Sequence, residues 1–141
     1  MGKIEKTVEI RAPPEKVWPM LFWDKLPEWL DMFKMVECTS EKRDSAGATF
    51  HVIGEAAGMK TEFDVELLRL VKYEKAAWRS SLGGFGESMI RHTRDGTEIT
   101  FVINYALPDS IFGTLLDKLI VGRAIKKSVD RGFEKLRRIL E

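Results

Sequence analysis

The first regular pattern in the chain is an alternation of apolar and polar residues over positions 3–11. Ile4, Val8 and Ile10 share one side with Lys6, and the remaining polar residues fall on the other side. A period of two residues is typical of a β-strand with one buried face. We therefore predict a half-buried strand here, ended by the segment Ala12-Pro13-Pro14.

Two short helices are predicted after this strand. Residues 15–22 place apolar side chains at helical spacing, and proline is well suited to the first position of a helix, where Pro14 stands. Residues 24–30 form the second helix, whose length is limited by Pro27 because proline cannot donate a backbone hydrogen bond.

The middle of the chain predicts strands joined by turns, near residues 33–41, 48–57, 59–72, 75–82, 86–94 and 97–107. Asp95-Gly96 between two alternating runs is the strongest hairpin signal, because this dipeptide adopts the tight turns that hairpins favour. Parallel neighbours would need long crossovers, so the short connections predict an antiparallel sheet.

A long helix is predicted from about residue 109 nearly to the C-terminus. Pro108 ends the last strand, and Asp109 or Ser110 can cap the helix. Its apolar stripe consists of Phe112, Leu115, Leu116, Leu119, Ile120, Ile125, Val129, Phe133, Leu136 and Leu140. Gly122 interrupts the stripe at a cost in helix propensity. Two explanations stay open: a helix that bends as a cavity fills, or close packing against the sheet.

The order of elements predicts an α+β fold in which a seven-stranded, curved antiparallel sheet wraps around the long C-terminal helix. Such a sheet must bury one face against the helix. Because a curved sheet cannot close everywhere on one long helix, we expect a gap between them, and such cavities are where small ligands bind.

Composition narrows the class of protein further. The chain has 141 residues, which suits one domain over 1–141, and 23 basic against 22 acidic residues leave a net charge of +1. This balance disfavours a nucleic-acid partner. One cysteine and two histidines make a protein-built zinc site improbable, so we expect no metal and no cofactor. Without a signal-peptide pattern or an apolar run of 18 residues, a cytoplasmic protein with no transmembrane segment is expected.

Four local motifs, in this order, resemble the START-like (SRPBCC) superfamily, which includes polyketide cyclases/dehydratases, lipid-transfer domains and plant pollen-allergen-like proteins. The motifs are Val8-x-Ile10-x-Ala12-Pro13-Pro14-x-x-Val17-Trp18, Leu26-Pro27-Glu28-Trp29 followed by Val36-Glu37, Ala77-Trp78-Arg79-Ser80, and Gly96-Thr97-x-Ile99-Thr100-Phe101-x-Ile103-x-Tyr105. The resemblance covers essentially the whole chain. It implies the helix-grip fold and a cavity for a hydrophobic ligand, but no single activity, because this fold supports many functions.

Period-two alternation in the last three strands selects the residues that would line this cavity, although a register error of one residue would reverse the selection. Trp23 is added as a candidate at the cavity entrance, and two residues come from the helix stripe. The predicted ligand-binding set is Trp23, Trp78, Ser80, Ser88, Ile90, His92, Phe101, Ile103, Tyr105, Leu116 and Ile120.

No catalytic residue is assigned. Cys38 and the two histidines lack a nucleophile signature, and no acid/base pair of carboxylates is evident. If the protein is a cyclase, Tyr105 and His92 are the candidate proton-transfer groups.

Three functions from different classes follow. The favoured one is a carrier or sensor of a hydrophobic or amphipathic small molecule; the alternatives are a polyketide cyclase/dehydratase-type enzyme using the same cavity and a non-catalytic protein-interaction module. Eight basic and five acidic residues give residues 109–141 a charge of +3, which also allows a weak contact with an anionic surface. The oligomeric state is left open.

Overall fold

The computed structural model describes residues 2–107 and 113–141. Seven strands and two α-helices are described, together with two 3-10 helices, Trp18–Leu21 and Trp23–Glu28, that follow the first α-helix. The strands and α-helices are β1 (Gly2–Ile10), α1 (Pro14–Val17), β2 (Phe33–Cys38), β3 (Thr49–Ala56), β4 (Met59–Val71), β5 (Lys75–Ser80), β6 (Phe85–His92), β7 (Thr97–Tyr105) and α2 (Leu115–Leu140).

All seven strands form one curved sheet in the order β1-β7-β6-β5-β4-β3-β2, and every neighbouring pair is antiparallel. The β6–β7 hairpin turns at Asp95-Gly96, where His92 pairs with Thr97. This architecture confirms the predicted helix-grip fold, with short helices between the first two strands and a long C-terminal helix.

The two predicted short helices are tighter than expected. The segment predicted as one helix over 15–22 is a four-residue α-helix that continues as a 3-10 helix. Pro19 explains the change, because its ring removes a backbone donor that an α-helix would need. The second helix, predicted over 24–30, is a 3-10 helix over Trp23–Glu28 that contains Pro27.

The hydrophobic core lies under the C-terminal half of α2. Val129, Phe133 and Leu136 of the helix are fully buried, and they belong to the same packed cluster as Ile10 of β1 and Ile99 of β7. At roughly 25 cal/mol per Å² of apolar surface, burial of such side chains is the main stabilising contribution to this end of the fold.

Polar contacts fix the same half of α2 to the loop before β2. The Ser128 hydroxyl donates to Asp31 at 2.6 Å, and Arg131 contacts both oxygens of that carboxylate. Gly132 lets the helix approach this loop closely, because a Cβ there would lie 2.9 Å from the carbonyl oxygen of Trp29. The helix is therefore anchored from about residue 128 onward.

The first turns of α2 differ from the prediction. The helix begins at Leu115 and is capped by Thr114, whose side-chain oxygen accepts a hydrogen bond from the Asp117 backbone at 3.0 Å. The predicted caps Asp109 and Ser110, and Phe112 of the predicted stripe, lie outside the described residues. Within the part of the chain that is described, no helix is both long and apolar enough to cross a bilayer.

Candidate functional site

A cavity of about 130 Å³ lies between the concave face of the sheet and α2. Residues of β3 to β7 form its walls, and α2 contributes Val121 and Ile125. Most of the lining is apolar, and a few polar side chains interrupt it. This combination is typical of sites that bind small organic molecules.

The inner end of the cavity is aromatic. Trp23, Trp78 and Phe101 are all buried, with ring centroids 5.5 Å apart for the two tryptophans and 5.8 Å apart for Trp78 and Phe101. Gly86 faces Trp78 across the β5–β6 pair, and a Cβ there would lie 2.8 Å from the Trp78 ring. Glycine at this position therefore makes room for the indole that forms the inner wall.

One side wall was not predicted from the sequence. Gly54 and Ala56 of β3 and Thr61 and Phe63 of β4 all border the cavity. They share one face, since Gly54 pairs with Thr61 in the antiparallel register. The same period-two alternation that was applied to the last three strands would have identified them.

The outer end of the cavity reaches the protein surface. Met59 and Phe85 belong to its lining, and their side chains are 38% and 50% exposed. Phe85 follows the Gly83-Gly84 turn, in which Gly83 adopts a φ of 97° that favours glycine. The cavity therefore meets the protein surface between the β3–β4 hairpin and this turn.

Six of the predicted ligand-binding residues lie in the cavity lining: Trp23, Trp78, Ser80, Phe101, Ile103 and Tyr105. They extend from the buried inner end to the last residue of β7, and the predicted place of Trp23 at the entrance was wrong, because its ring is buried against Trp78 at the inner end. Whether they contact a ligand remains a prediction, because their shared position establishes only the geometry.

Three other predicted residues lie on β6 but outside the cavity lining. Ser88 and Ile90 are buried in the core, and His92 is exposed at the far end of the strand. Alternation gave Ser88 and Ile90 the correct face, but that end of the sheet belongs to the core, where Ile90 is in the same packed cluster as Val17 of α1 and Val129 and Phe133 of α2. His92 is seven residues from Phe85, roughly 23 Å along a strand, so it cannot act together with Tyr105.

The two residues predicted from the helix also lie outside the cavity. Leu116 and Ile120 are 65% and 48% exposed, and the cavity is instead covered by Val121 and Ile125. At 3.6 residues per turn, Ile120 lies about 100° and Leu116 about 140° around the helix from Val121. The stripe over 115–120 therefore has a different phase from the buried stripe that follows it.

Close packing explains Gly122, and α2 continues through it without a break. A Cβ at this position would lie 2.5 Å from the Tyr105 hydroxyl oxygen. The glycine therefore accommodates the phenol of a residue that lines the cavity, which favours the second of the two explanations left open by the sequence.

Polar groups in the lining are few. The Ser80 side-chain oxygen accepts a hydrogen bond from the Leu82 backbone at 3.1 Å, and is therefore partly committed to the turn after β5. Glu55 and Tyr105 are the titratable residues among the described residues of the lining, and the Glu55 side chain lies on the opposite face of β3 from Gly54 and Ala56. The buried Trp23 Nε1 has no hydrogen-bond acceptor among the described residues.

A histidine with a shifted pKa lies on the opposite face of the sheet from the cavity. His51 Nδ1 lies 2.9 Å from Asp64 and Nε2 lies 3.1 Å from Glu62. These hydrogen bonds raise the pKa of His51 above its usual value. Because Phe50 and Val52 on either side of it are buried, His51 faces outward from the sheet and affects stability rather than ligand contacts.

Comparisons with known proteins agree with this geometry. An uncharacterized 17.2 kDa protein in the melC2-rnhH intergenic region of Streptomyces lincolnensis is 26% identical over 141 residues, covering 96% of this chain and 89% of that protein. TTHA0849 from Thermus thermophilus has a similar structure, with a TM-score of 0.79, 21% identity and coverage of 99% and 97% of the two chains. MLL2253 from Mesorhizobium loti has a TM-score of 0.70, 18% identity and coverage of 99% and 96%.

The two solved structures support the fold alone at these levels of identity. The family is shown by the sequence model for polyketide cyclase / dehydrase and lipid transport, which matches residues 1–141. This result confirms the resemblance found in the sequence motifs. The chain therefore belongs to the polyketide cyclase/dehydrase and lipid transport family.

Proposed function

We propose that the protein carries or senses a small hydrophobic or amphipathic molecule, which binds in the cavity between the sheet and α2. The observation that carries this proposal is the cavity itself: it is mostly apolar, aromatic at its inner end and open to solvent at Met59 and Phe85. Membership of a family described by lipid transport is consistent with it.

The cavity volume limits the part of the ligand that is enclosed. An engineered apolar cavity of about 150 Å³ in another protein binds benzene. The cavity of about 130 Å³ between the sheet and α2 suits a group of similar size at its inner end. A longer molecule would extend through the open end across Met59 and Phe85.

Ligand titration tests the proposal. Trp23 and Trp78 border the cavity, so bound benzene or a short alkylbenzene should change tryptophan emission and raise the melting temperature. A ligand at 100 times its dissociation constant stabilises the folded state by about 2.7 kcal/mol. Native mass spectrometry would also detect a small molecule that is retained during purification. A panel of aromatic and aliphatic compounds that changes neither emission nor melting temperature would contradict the proposal.

An enzyme of the cyclase/dehydratase type that uses the same cavity is the second candidate. Tyr105 borders the cavity and could exchange a proton with a bound polyketone. Turnover of a model polyketone that falls in Tyr105→Phe, with ligand affinity retained, would favour this candidate. Binding without turnover would favour the carrier.

Contact with an anionic surface remains a proposal for α2. Leu115, Leu116, Leu119 and Ile120 are exposed, and the exposed Arg123, Lys126 and Lys127 continue the same side of the helix. This arrangement suits a membrane with anionic lipids. Co-sedimentation with phosphatidylserine vesicles, but not with phosphatidylcholine vesicles, would support the contact.

The cytoplasmic location also stays a prediction.

A further inference from the structure

Two buried tryptophans near the inner end of the cavity differ in their hydrogen bonding. Trp29 donates from its indole nitrogen to the Met20 carbonyl oxygen at 2.8 Å. Trp23 is only 6% exposed, yet its indole nitrogen has no acceptor among the described residues. A buried donor without an acceptor reduces stability, so native structures retain few of them, and each one calls for an explanation.

Packing explains the position of the Trp23 ring but not its unpartnered N–H. The ring lies 5.1 Å from Phe33 and 5.5 Å from Trp78, centroid to centroid, and the contact with Trp78 is edge-to-face. A phenylalanine would make similar aromatic contacts without burying a donor. Because the Trp23 ring borders the cavity, a bound molecule is the natural source of an acceptor.

Charge in the cavity restricts the chemistry of that acceptor. The described residues of the lining include no lysine, arginine or histidine, and Glu55, which pairs with Lys60, has its side chain on the opposite face of the sheet from Gly54 and Thr61. A carboxylate or phosphate held here would be buried without a counter-ion, which is unfavourable. A neutral carbonyl or ether oxygen avoids this cost.

We propose that the Trp23 indole N–H donates a hydrogen bond to a neutral oxygen acceptor of the ligand, which selects carbonyl-bearing aromatic molecules over hydrocarbons and over carboxylates. The nitrogen is covered by protein in this structure, and the proposal therefore includes a turn of the indole that brings its N–H edge to the cavity when the ligand binds. This inference rests on the proposed ligand-binding function and adds the class of ligand and its polar contact.

Three probes of nearly equal shape test the selection. Acetophenone carries a neutral carbonyl, α-methylstyrene replaces the carbonyl oxygen with a CH₂ group, and benzoate replaces the methyl ketone with a carboxylate. Their dissociation constants are measured at pH 7 by calorimetric titration or thermal shift. The unmodified protein should bind acetophenone most tightly and benzoate most weakly.

The Trp23→Phe variant removes the donor and keeps an aromatic ring. The ratio of acetophenone to α-methylstyrene affinity should fall by about twofold to tenfold, the amount expected for one net hydrogen bond. Trp29→Phe is the control, because its indole N–H already donates to the Met20 carbonyl oxygen and Trp29 is not a lining residue, so that ratio should stay unchanged. The affinity for α-methylstyrene serves as the reference, because a change in packing would alter the affinity for both compounds.

A spectroscopic measurement on the unmodified protein does not depend on any variant folding. The Trp23 indole N–H resonance, assigned through its nuclear Overhauser effects to the Phe33 and Trp78 rings, should move downfield with acetophenone but not with α-methylstyrene. Equal shifts with both compounds, or tightest binding of benzoate, would overturn the inference while leaving the proposed binding function intact. Binding of none of the three probes would overturn both.

Discussion

Substitutions at two serines on neighbouring strands can distinguish a cavity from a packed core. Ser80 on β5 borders the cavity, whereas Ser88 on β6 is buried in the core opposite Ala76 and Phe101. Ser80→Phe and Ser88→Phe make the same chemical change at these two places. The structure predicts opposite results for them.

Ser80→Phe should leave the free energy of unfolding unchanged or raise it slightly. Burying a phenylalanine side chain contributes roughly 1.5–3 kcal/mol. Loss of the hydrogen bond from the Leu82 backbone to the Ser80 oxygen removes about 1 kcal/mol. Ordering the larger side chain costs about another 0.5–1 kcal/mol. The net change is about −0.5 to +1.5 kcal/mol in favour of the variant, and the new ring occupies the ligand's place.

Ser88→Phe should destabilise the protein. Its side chain is 1% exposed, so an added ring must displace neighbours in the core. Overpacking typically costs 1–3 kcal/mol. For a domain of this length, on the order of 4 °C of melting temperature corresponds to each kcal/mol, so we expect a decrease of about 4–12 °C.

Thermal melts and one titration with acetophenone test both variants. Ser80→Ala is the control for the lost hydrogen bond and should lower stability by about 1 kcal/mol while retaining ligand binding. Ser80→Phe should weaken binding more than tenfold. A loss of stability in Ser80→Phe as large as that in Ser88→Phe would show that the space beside Ser80 is packed. Undiminished binding in a stable Ser80→Phe variant would show that the ligand binds elsewhere.

Two further predictions concern Gly122 and His51. In Gly122→Ala the new Cβ displaces the Tyr105 hydroxyl into the cavity, so the affinity for acetophenone should fall severalfold. The free energy of unfolding should stay within about 1 kcal/mol, because alanine favours the helix. Unchanged affinity in a titration would show that the position of the phenol is irrelevant to binding. The raised pKa of His51, caused by hydrogen bonds to Asp64 and then Glu62, gives a stabilisation that is complete below the unfolded pKa of 6.5 and is lost as the pH rises through the higher folded value. The melting temperature of the wild type should therefore exceed that of His51→Gln by more at pH 6 than at pH 9, and an equal difference at both pH values would contradict this.

The antiparallel meander from β2 to β7 could be predicted because local patterns determine it, whereas the pairing of β1 with β7 joins distant parts of the chain and was not predicted. Alternation located each of the seven strands to within a few residues, and Asp95-Gly96 identified the β6–β7 hairpin. Short turns then required antiparallel neighbours. These signals depend on adjacent residues, so they need no knowledge of what packs against the sheet.

The cavity lining was harder to predict because it depends on tertiary packing. Alternation identifies the face of a strand but not the part of that face which another element covers. Ser88 and Ser80 both lie on the concave side, and only the placement of α1 and the C-terminal half of α2 distinguishes core from cavity. The prediction that His92 lines the cavity was wrong for the same reason, since His92 is exposed at the end of β6.

The prediction of which helix residues line the cavity was wrong because the buried apolar stripe lies on a different side of α2. Apolar residues over 115–120 formed a convincing stripe, but the buried stripe begins at Val121 and continues through Ile125 and Val129. Hydrophobicity alone could not decide which stripe contacts the sheet. Gly122 offered the missing signal, because a glycine on that side of the helix allows the close approach of Tyr105.

The most direct measurement of the central claim is the location of a bound probe by intermolecular nuclear Overhauser effects. α-Methylstyrene in the cavity should give effects to Trp78 and Phe101 of the sheet and to Val121 and Ile125 of α2, because all four border the same space. Effects confined to the exposed side of α2, at residues such as Leu116, would contradict a ligand site between the sheet and the helix.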